Sequence, residues 1–598
     1  MCGIFGFYLN RPLNEEDLAL GKSGVKALSH RGPDNSSYWV DFDNGVFLGH
    51  RRLSIIDLSD QSNQPMIRHD AVLIYNGEIY NYKELAHELS QQGLSFSSTG
   101  DTEVLLQAWH VWGAESVNRF DGMFAFALYH NRQLHLVTDP FGEKPIYWAK
   151  TDNGIYFSSE ANPLVNLLKI PAHFPPQHVA AFLSLGFLPA PHTGYANLYR
   201  MPPATRLVCS ADGQINESKY WQPPQPQARR GPVKELSEQN LDTISQALID
   251  SLRVRLRADV PLGIFLSSGT DSALLAALAA KELNCKTLAF TVKFPDKEVA
   301  DESETASAIA KYLDLPHKVV NSQEDPVKTD PLHIFDLFGE ANDNITVAAA
   351  YQMSRIAEST LKVALSGIGG DELFYGYNKY EFLYRRRRLL SLNVNARNFI
   401  SAFVPSRIGS NRLVNWTNLL SASDAGRFIA AKNIQTCRWL SKLPEFETWA
   451  QNIFSLDIPT YLLGRHFDLI HTLPSTYIPA MERGSMRASI EVRTPYLNKE
   501  LLSVVSTFDQ RSFIAFGQKS ILRRILARYL PQELVDLPKR GFNYPMTRFL
   551  GSFSRLPEIS ILPDSAIEEV WQRRHETGWQ RLAIRLVILA HFIKQTHS

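Results

Sequence analysis

One stretch of this 598-residue chain cannot belong to any packed element, and it divides the rest. Residues 221–232 read Trp-Gln-Pro-Pro-Gln-Pro-Gln-Ala-Arg-Arg-Gly-Pro. Four prolines there remove backbone donors and fix φ, which suits neither a helix interior nor a central strand. A linker is expected over 221–235, between one unit over 2–220 and another over 236–598.

The apolar pattern changes across that linker. Before it, short β-rich runs at 4–8, 46–49, 71–75, 124–129 and 134–138 alternate with turns, and 82–92 and 102–113 read as helices. This predicts an α+β unit with antiparallel sheets. After it, strand and helix alternate, as in a parallel sheet: strands at 260–266, 287–294, 317–320 and 361–365, with helices at 273–283 and 302–313. From residue 380 onward helices dominate.

Composition excludes several classes. The net charge is +1, so neither nucleic acid nor an acidic membrane is expected as partner. Four cysteines without CxxC spacing indicate neither zinc nor a disulfide framework. Without ~18 uninterrupted apolar residues no membrane span is expected, and the cytoplasm is the expected location. The run Arg385-Arg386-Arg387-Arg388 reads as a solvated helix face, with an anion contact the lesser alternative.

Three places carry chemistry. Removal of Met1 would give Cys2 a thiol and a free α-amine, nucleophile and base on one residue, with space beside Gly3. A buried first strand is the ordinary alternative. The strand-end clusters at 49–57, 75–81 and 99–103 supply the rest of such a site. Asn76 and the Gly77 N–H suit an oxyanion, Arg51 a carboxylate and Asp101 an ammonium, which together describe a site for a free amino acid.

The second place is Ser267-Ser268-Gly269-Thr270-Asp271-Ser272, between a strand and a helix. Exposed N–H groups and hydroxyls there suit phosphates, and Asp271 suits Mg²⁺. A capped turn is the alternative. The third is Ser366-Gly367-Ile368-Gly369-Gly370-Asp371-Glu372, again after a strand. Ligands of open α/β sheets bind where two such loops meet at the carboxyl ends of the strands.

Together these residues resemble the glutamine-dependent asparagine synthase family. Further motifs carry the resemblance: 30–34 (His-Arg-Gly-Pro-Asp), 121–126 (Asp-Gly-Met-Phe-Ala-Phe), 141–145 (Phe-Gly-Glu-Lys-Pro), 158–160 (Ser-Ser-Glu), 491–497 (Glu-Val-Arg-Thr-Pro-Tyr-Leu), and Lys519 with 522–523 (Leu-Arg). It covers nearly the whole chain and weakens beyond Leu550. It implies an N-terminal nucleophile hydrolase domain of class II glutamine amidotransferases, an αββα sandwich. An α/β parallel-sheet ATP-pyrophosphatase domain with a helical C-terminal part follows.

In that family Cys2 would release ammonia from glutamine, with Arg51, Asn76, Gly77, Glu78 and Asp101 at the glutamine-binding positions. ATP and pyrophosphate would contact Ser267, Ser268, Gly269, Thr270, Asp271, Ser272, Val292, Ser366 and Gly367. Asp271 and Asp371 would hold Mg²⁺, and Lys519 would neutralise phosphate charge. A carboxylate acceptor, formally aspartate, would be adenylated and then amidated by ammonia that crosses an internal tunnel. Helical surface in the C-terminal half could serve a homodimer.

The departures fall on the acceptor side. Ser268 replaces a glycine, and Ile368 an acidic residue for which Glu340 and Glu372 are candidate substitutes. Residues 342–348 lack the arginine of aspartate-using members, and Ala480 and Glu482 replace a lysine and an aspartate. A non-aspartate acceptor, such as a uronic acid in polysaccharide or a natural-product acid, is the alternative. A scaffold that has lost its synthetase chemistry is a third reading. β-Lactam synthetases lack the working cysteine.

Overall fold

The computed structural model describes residues 2–227, 229, 231–293, 301–321, 332–390, 392, 458–536, 546–553, 559, 561–576 and 578–595. The first strand, Gly3–Leu9, is apolar on both faces, so it must be covered on both. Ile4 and Tyr8 face a second sheet, while Phe5, Phe7 and Leu9 face helices. This is the period-2 logic of a buried strand.

Two six-stranded sheets result, antiparallel between paired neighbours. One runs Leu198–Arg200, Tyr147–Thr151, Gly154–Ser158, Gly3–Leu9, Val46–Arg52, Asn35–Asp41. The other runs Ile215–Lys219, Thr205–Ser210, Gln133–Thr138, Gly122–His130, Ala71–Ile79, Met66–Arg68. Val46, Leu48, Ile74, Ala127 and Leu136 pack between the sheets. The helices Pro176–Leu185 and Glu15–Ala27 cover one outer face, and Tyr82–Gln91 and Asp101–Trp112 the other. The expected αββα sandwich is therefore present.

Between Ile215–Lys219 and the helix Glu238–Arg255 the described residues form no helix or strand. The proline-rich stretch lies against both units: Trp221 meets the Phe141 ring of the first, and Arg511 of the second donates to the Gly231 carbonyl. The second unit is a five-stranded parallel sheet ordered His317–Asn321, Leu288–Lys293, Leu262–Phe265, Val363–Leu365, Glu491–Arg493. The helix Thr270–Lys281 is buried almost all round by alanines and leucines. Chain order reverses at Leu262–Phe265, so the loops after it and after Val363–Leu365 open toward each other.

Arg386 and Arg387 stack on the Phe382 and Tyr384 rings and Arg385 pairs with Glu381, so the basic run caps a helix. The long C-terminal helix, Gln580–Gln595, returns to the first unit, where Arg585 donates to the carbonyls of Leu183 and Ser184. Among the described residues no helix is long and apolar enough to cross a membrane.

Candidate active sites

Cys2 is buried at the start of Gly3–Leu9, and its backbone N–H donates to Asn76 Oδ1 at 2.9 Å. That bond orients the Asn76 carboxamide and leaves Nδ2 buried without a protein partner. Gly77 follows, and a Cβ there would lie 2.2 Å from the Met123 carbonyl oxygen, so only glycine lets the strands close. A small cavity of about 30 Å³ is lined by Cys2, Arg52, Gly77, Glu78, Asp101 and Glu491, among others.

Burial raises the Cys2 thiol above its ordinary value. Burial likewise pushes Asp101 up to about 6, although the Tyr75 hydroxyl (2.7 Å) and the Ile79 N–H (2.9 Å) donate to it. Glu78 is raised further by burial and by the charge of Asp101, while Arg493 at 3.5 Å opposes the shift.

Arg51, the expected cation of this site, does not join it. Along Val46–Arg52, Val46, Leu48, His50 and Arg52 share the face toward the other sheet, and Arg51 points away. Arg51 Nε donates to the Gly32 carbonyl at 2.9 Å, and Arg52 lines the cavity instead. Arg52 also donates to Ser59 O at 2.7 Å and Asn63 Oδ1 at 2.8 Å, which holds the loop beside the cavity. Two adjacent arginines look alike in sequence; only strand register separates them.

The second unit contributes to the same cavity. Glu491 is on the edge strand Glu491–Arg493, and Arg493 Nε donates to it at 2.7 Å. Burial pushes Glu491 up, but Arg493 and Lys144 are among the cations that outweigh it and bring the carboxyl down to about 2. The Arg493 carbonyl of the same strand accepts from the Ser366 N–H at 2.9 Å, so the strand reaches both the cavity at Cys2 and the second loop. Neither Glu491 nor Arg493 is assigned a role by the sequence motif that contains them. Their spacing of two on one strand face is the signal that was available.

The second site is a cavity of about 410 Å³ lined by both glycine-containing loops. Ser267, Gly269, Asp271, Ser272, Val292, Ser366, Gly367 and Asp371 all contribute. Ser268 and Thr270 are not among its lining residues, and the Ser268 N–H is taken by Glu302 at 3.2 Å. Close approach of the loops depends on glycine, since a Cβ at Gly370 would lie 2.4 Å from Asp271 Oδ1. Lys519 Nζ donates to Asp371 Oδ1 at 2.7 Å and also to Asp271 Oδ2. Burial opposes its charge, but the two carboxylates outweigh burial and raise its pKa.

The two carboxylates therefore converge on one point, which suits a divalent cation shared with a bound phosphate. Among the described residues no group of three or more His, Cys, Asp or Glu could hold a metal by itself.

The candidates for the missing acid at Ile368 separate in space. Glu372 lines the cavity, accepts from Tyr377 Oη at 2.6 Å, and is pushed up to about 7 by burial and by Asp371. Glu340 does not line it: Tyr147 Oη donates to it at 2.8 Å, and Arg200 pairs with it, both from the first unit. The segment 342–346 is pinned to the other wall by Asn342 Nδ2 to Ser475 O at 2.9 Å and Asn344 Nδ2 to Thr476 O at 3.2 Å. Ala480 is in the core, while Glu482 pairs with Arg31 and Arg483 at the boundary of the units.

Comparison with known proteins assigns both halves. The glutamine amidotransferase domain family matches residues 1–221, and the asparagine synthase family matches residues 243–568. A Bacillus subtilis protein named glutamine-hydrolyzing asparagine synthetase 1 is 29% identical, over 92% of this chain and 88% of that one. A Mycobacterium bovis protein named putative glutamine-hydrolyzing asparagine synthetase is 31% identical over the same shares, 92% and 88%. A Gibberella zeae protein named amidase chry2 is 25% identical over 64% of this chain and 60% of that one.

Proposed function

The chain belongs to the asparagine synthase family, and we propose that its two sites act in one reaction that moves ammonia from glutamine to an ATP-activated carboxylate. The observation that carries this reading is Cys2, buried beside an Asn76 carboxamide whose Nδ2 is free. With Met1 removed, the Cys2 amine takes the thiol proton and the thiolate attacks the glutamine amide. Asn76 Nδ2 and the Gly77 N–H hold the oxyanion, Arg52 takes the glutamine carboxylate, and Asp101 and Glu78 take its ammonium. Ammonia leaves, and water later frees glutamate from the thioester.

In the larger cavity the acceptor carboxylate attacks the α-phosphate of ATP. An O–P bond forms, the bond to pyrophosphate breaks, and pyrophosphate rests on the loop Ser267–Ser272. Mg²⁺ on Asp271 and Asp371 would neutralise phosphate charge. Lys519 supplies a further cation at the same phosphates. Ammonia from the first site then displaces AMP to give an amide. We assign the first step to 2–220 and the second to 236–598, joined by 221–235. Free glutamine and ATP make the cytoplasm the natural setting.

A non-aspartate acceptor is favoured by the wall beyond the loops. Thr346, Ile368, Tyr377, Tyr477 and Met481 form it, and the cations that the described residues bring to the cavity are lysines, Lys293 paired with Asp301 at 2.6 Å and Lys519 between Asp271 and Asp371. An α-carboxylate finds no guanidinium there. The test incubates the enzyme with amide-¹⁵N glutamine, Mg-ATP and, separately, aspartate, galacturonate and oligogalacturonate. Labelled amide and AMP are expected to appear together with one acceptor. Glutamate release with no AMP from any of them would sink the coupled reaction on these acids.

The position of Asp101 predicts a pH dependence. Its carboxyl, pushed up to about 6 by burial, is charged above that value and neutral below it. Only the charged form pairs with the glutamine ammonium. The kcat/KM for glutamine is therefore expected to fall about tenfold per pH unit below pH 6. A flat profile between pH 7 and 5 would remove Asp101 from this role.

A further inference from the structure

Lys519 is where a metal ion would be expected. Its ammonium joins Asp271 of one loop to Asp371 of the other, and its side chain is 8% exposed. Two features show that the surroundings hold it there. Its backbone is left-handed, φ 52 and ψ 26, at the start of the helix Ser520–Leu526. A non-glycine residue keeps that conformation only where its neighbours over-determine it. At Gly376 a Cβ would lie 1.8 Å from Asp371 Oδ1 and 2.4 Å from Lys519 Cε, so the missing side chain makes room for the pair.

The charges then decide what else can enter. Lys519 already engages one oxygen of each aspartate, Asp271 Oδ2 and Asp371 Oδ1, and its ammonium offsets part of their negative charge. A divalent cation arriving alone would have to expel a like charge from a buried position. A triphosphate changes this balance, because it offers the ammonium new oxygen acceptors beside the same loops.

We propose that Lys519 is the resident cation of the Asp271–Asp371 pair, which excludes a divalent metal until a nucleoside triphosphate draws the ammonium away. The proposal rests on the reading of this cavity as the nucleotide site. Metal and triphosphate then enter as one unit, and Lys519 reaches the phosphates by the same movement that opens the metal site. No proton is transferred, since the ammonium stays charged throughout.

The test measures Mn²⁺ binding to the full-length protein by the electron paramagnetic resonance of free Mn²⁺. Without nucleotide, K519M is expected to bind Mn²⁺ roughly tenfold or more tightly than wild type, because the competing cation is gone. K519R keeps a cation and should resemble wild type. A non-hydrolysable ATP analogue should raise the wild-type affinity and close the gap. Equal nucleotide-free affinity in wild type and K519M overturns the proposal. Mn²⁺ binding by neither protein, even with the analogue, overturns the nucleotide–metal reading itself. Glutamate release from glutamine, at the distant Cys2 site, confirms that each variant is folded, and K519Q serves in place of K519M if that variant is not.

Discussion

Replacing Cys2 with alanine is expected to abolish glutamate release from glutamine, a fall on the order of 10⁴-fold or more, because the covalent route loses its nucleophile. The structure argues that the loss is chemical and not structural. Two of the contacts of Cys2 are made by its backbone: its N–H donates to Asn76 Oδ1 at 2.9 Å, and its carbonyl accepts from Arg31 Nε at 3.1 Å, while the thiol is met by the Leu53 backbone. Alanine keeps both backbone contacts. The strand Gly3–Leu9 keeps its pairing to Val46–Arg52 and Gly154–Ser158, so the melting temperature should scarcely move. AMP formation driven by ammonium chloride and the acceptor should survive, since the larger cavity is lined by none of these residues. Glutamate release at the wild-type rate would require another nucleophile and refute the first half of the mechanism.

Arg31→Met is expected to be the most damaging single change at the boundary of the two units. Arg31 is fully buried. It donates to Glu160 Oε1 at 2.8 Å within the first unit and pairs with Glu482 of the second. Burial alone would raise the Glu160 carboxyl, but His30, Arg31 and Arg483 hold it well below its ordinary value. Methionine fills the space yet leaves Glu482 with Arg483 at 3.3 Å, and Glu160 with His30 at 3.0 Å and the same Arg483 at 3.5 Å. Removing one partner of a buried ionic group costs about 3–5 kcal/mol. The melting transition should fall by several degrees, and glutamate release should fall with it because Cys2 loses a carbonyl partner. Lysine cannot span both carboxylates and should rescue only partly. Wild-type melting of Arg31→Met would show that the network contributes no net stability.

The residues differ in how openly the sequence announces their roles. Gly3–Leu9, Ala71–Ile79 and Thr270–Lys281 are legible from composition and length, as largely apolar runs too long to be turns. Glu491–Arg493 is three residues long, too short for any period, and only pairing with Val363–Leu365 makes it a strand. Asn76, Gly77 and Asp101 were recognisable because their chemistry is local to a turn or a cap. Arg51 and Arg52 could not be told apart by type, and a one-residue difference in facing decides which meets the cavity. Glu340 and Glu372 are both acids near glycine-containing segments, yet Arg200 and Tyr147 claim Glu340, and Tyr377 sets Glu372 in the cavity wall.

By itself the sequence determined the two kinds of sheet and where glycines, prolines and small polar residues interrupt them. Those follow from local rules: φ restriction, side-chain period, and small residues where strands meet helices. The tertiary structure alone decided that Glu491 of the second unit lines the cavity at Cys2, with Arg493 paired to it and to Glu78, and that Lys519 bridges Asp271 and Asp371. These contacts join residues hundreds of positions apart. They are selected by charges that cannot be buried unless they find each other, and no local pattern records which partner a buried charge will meet.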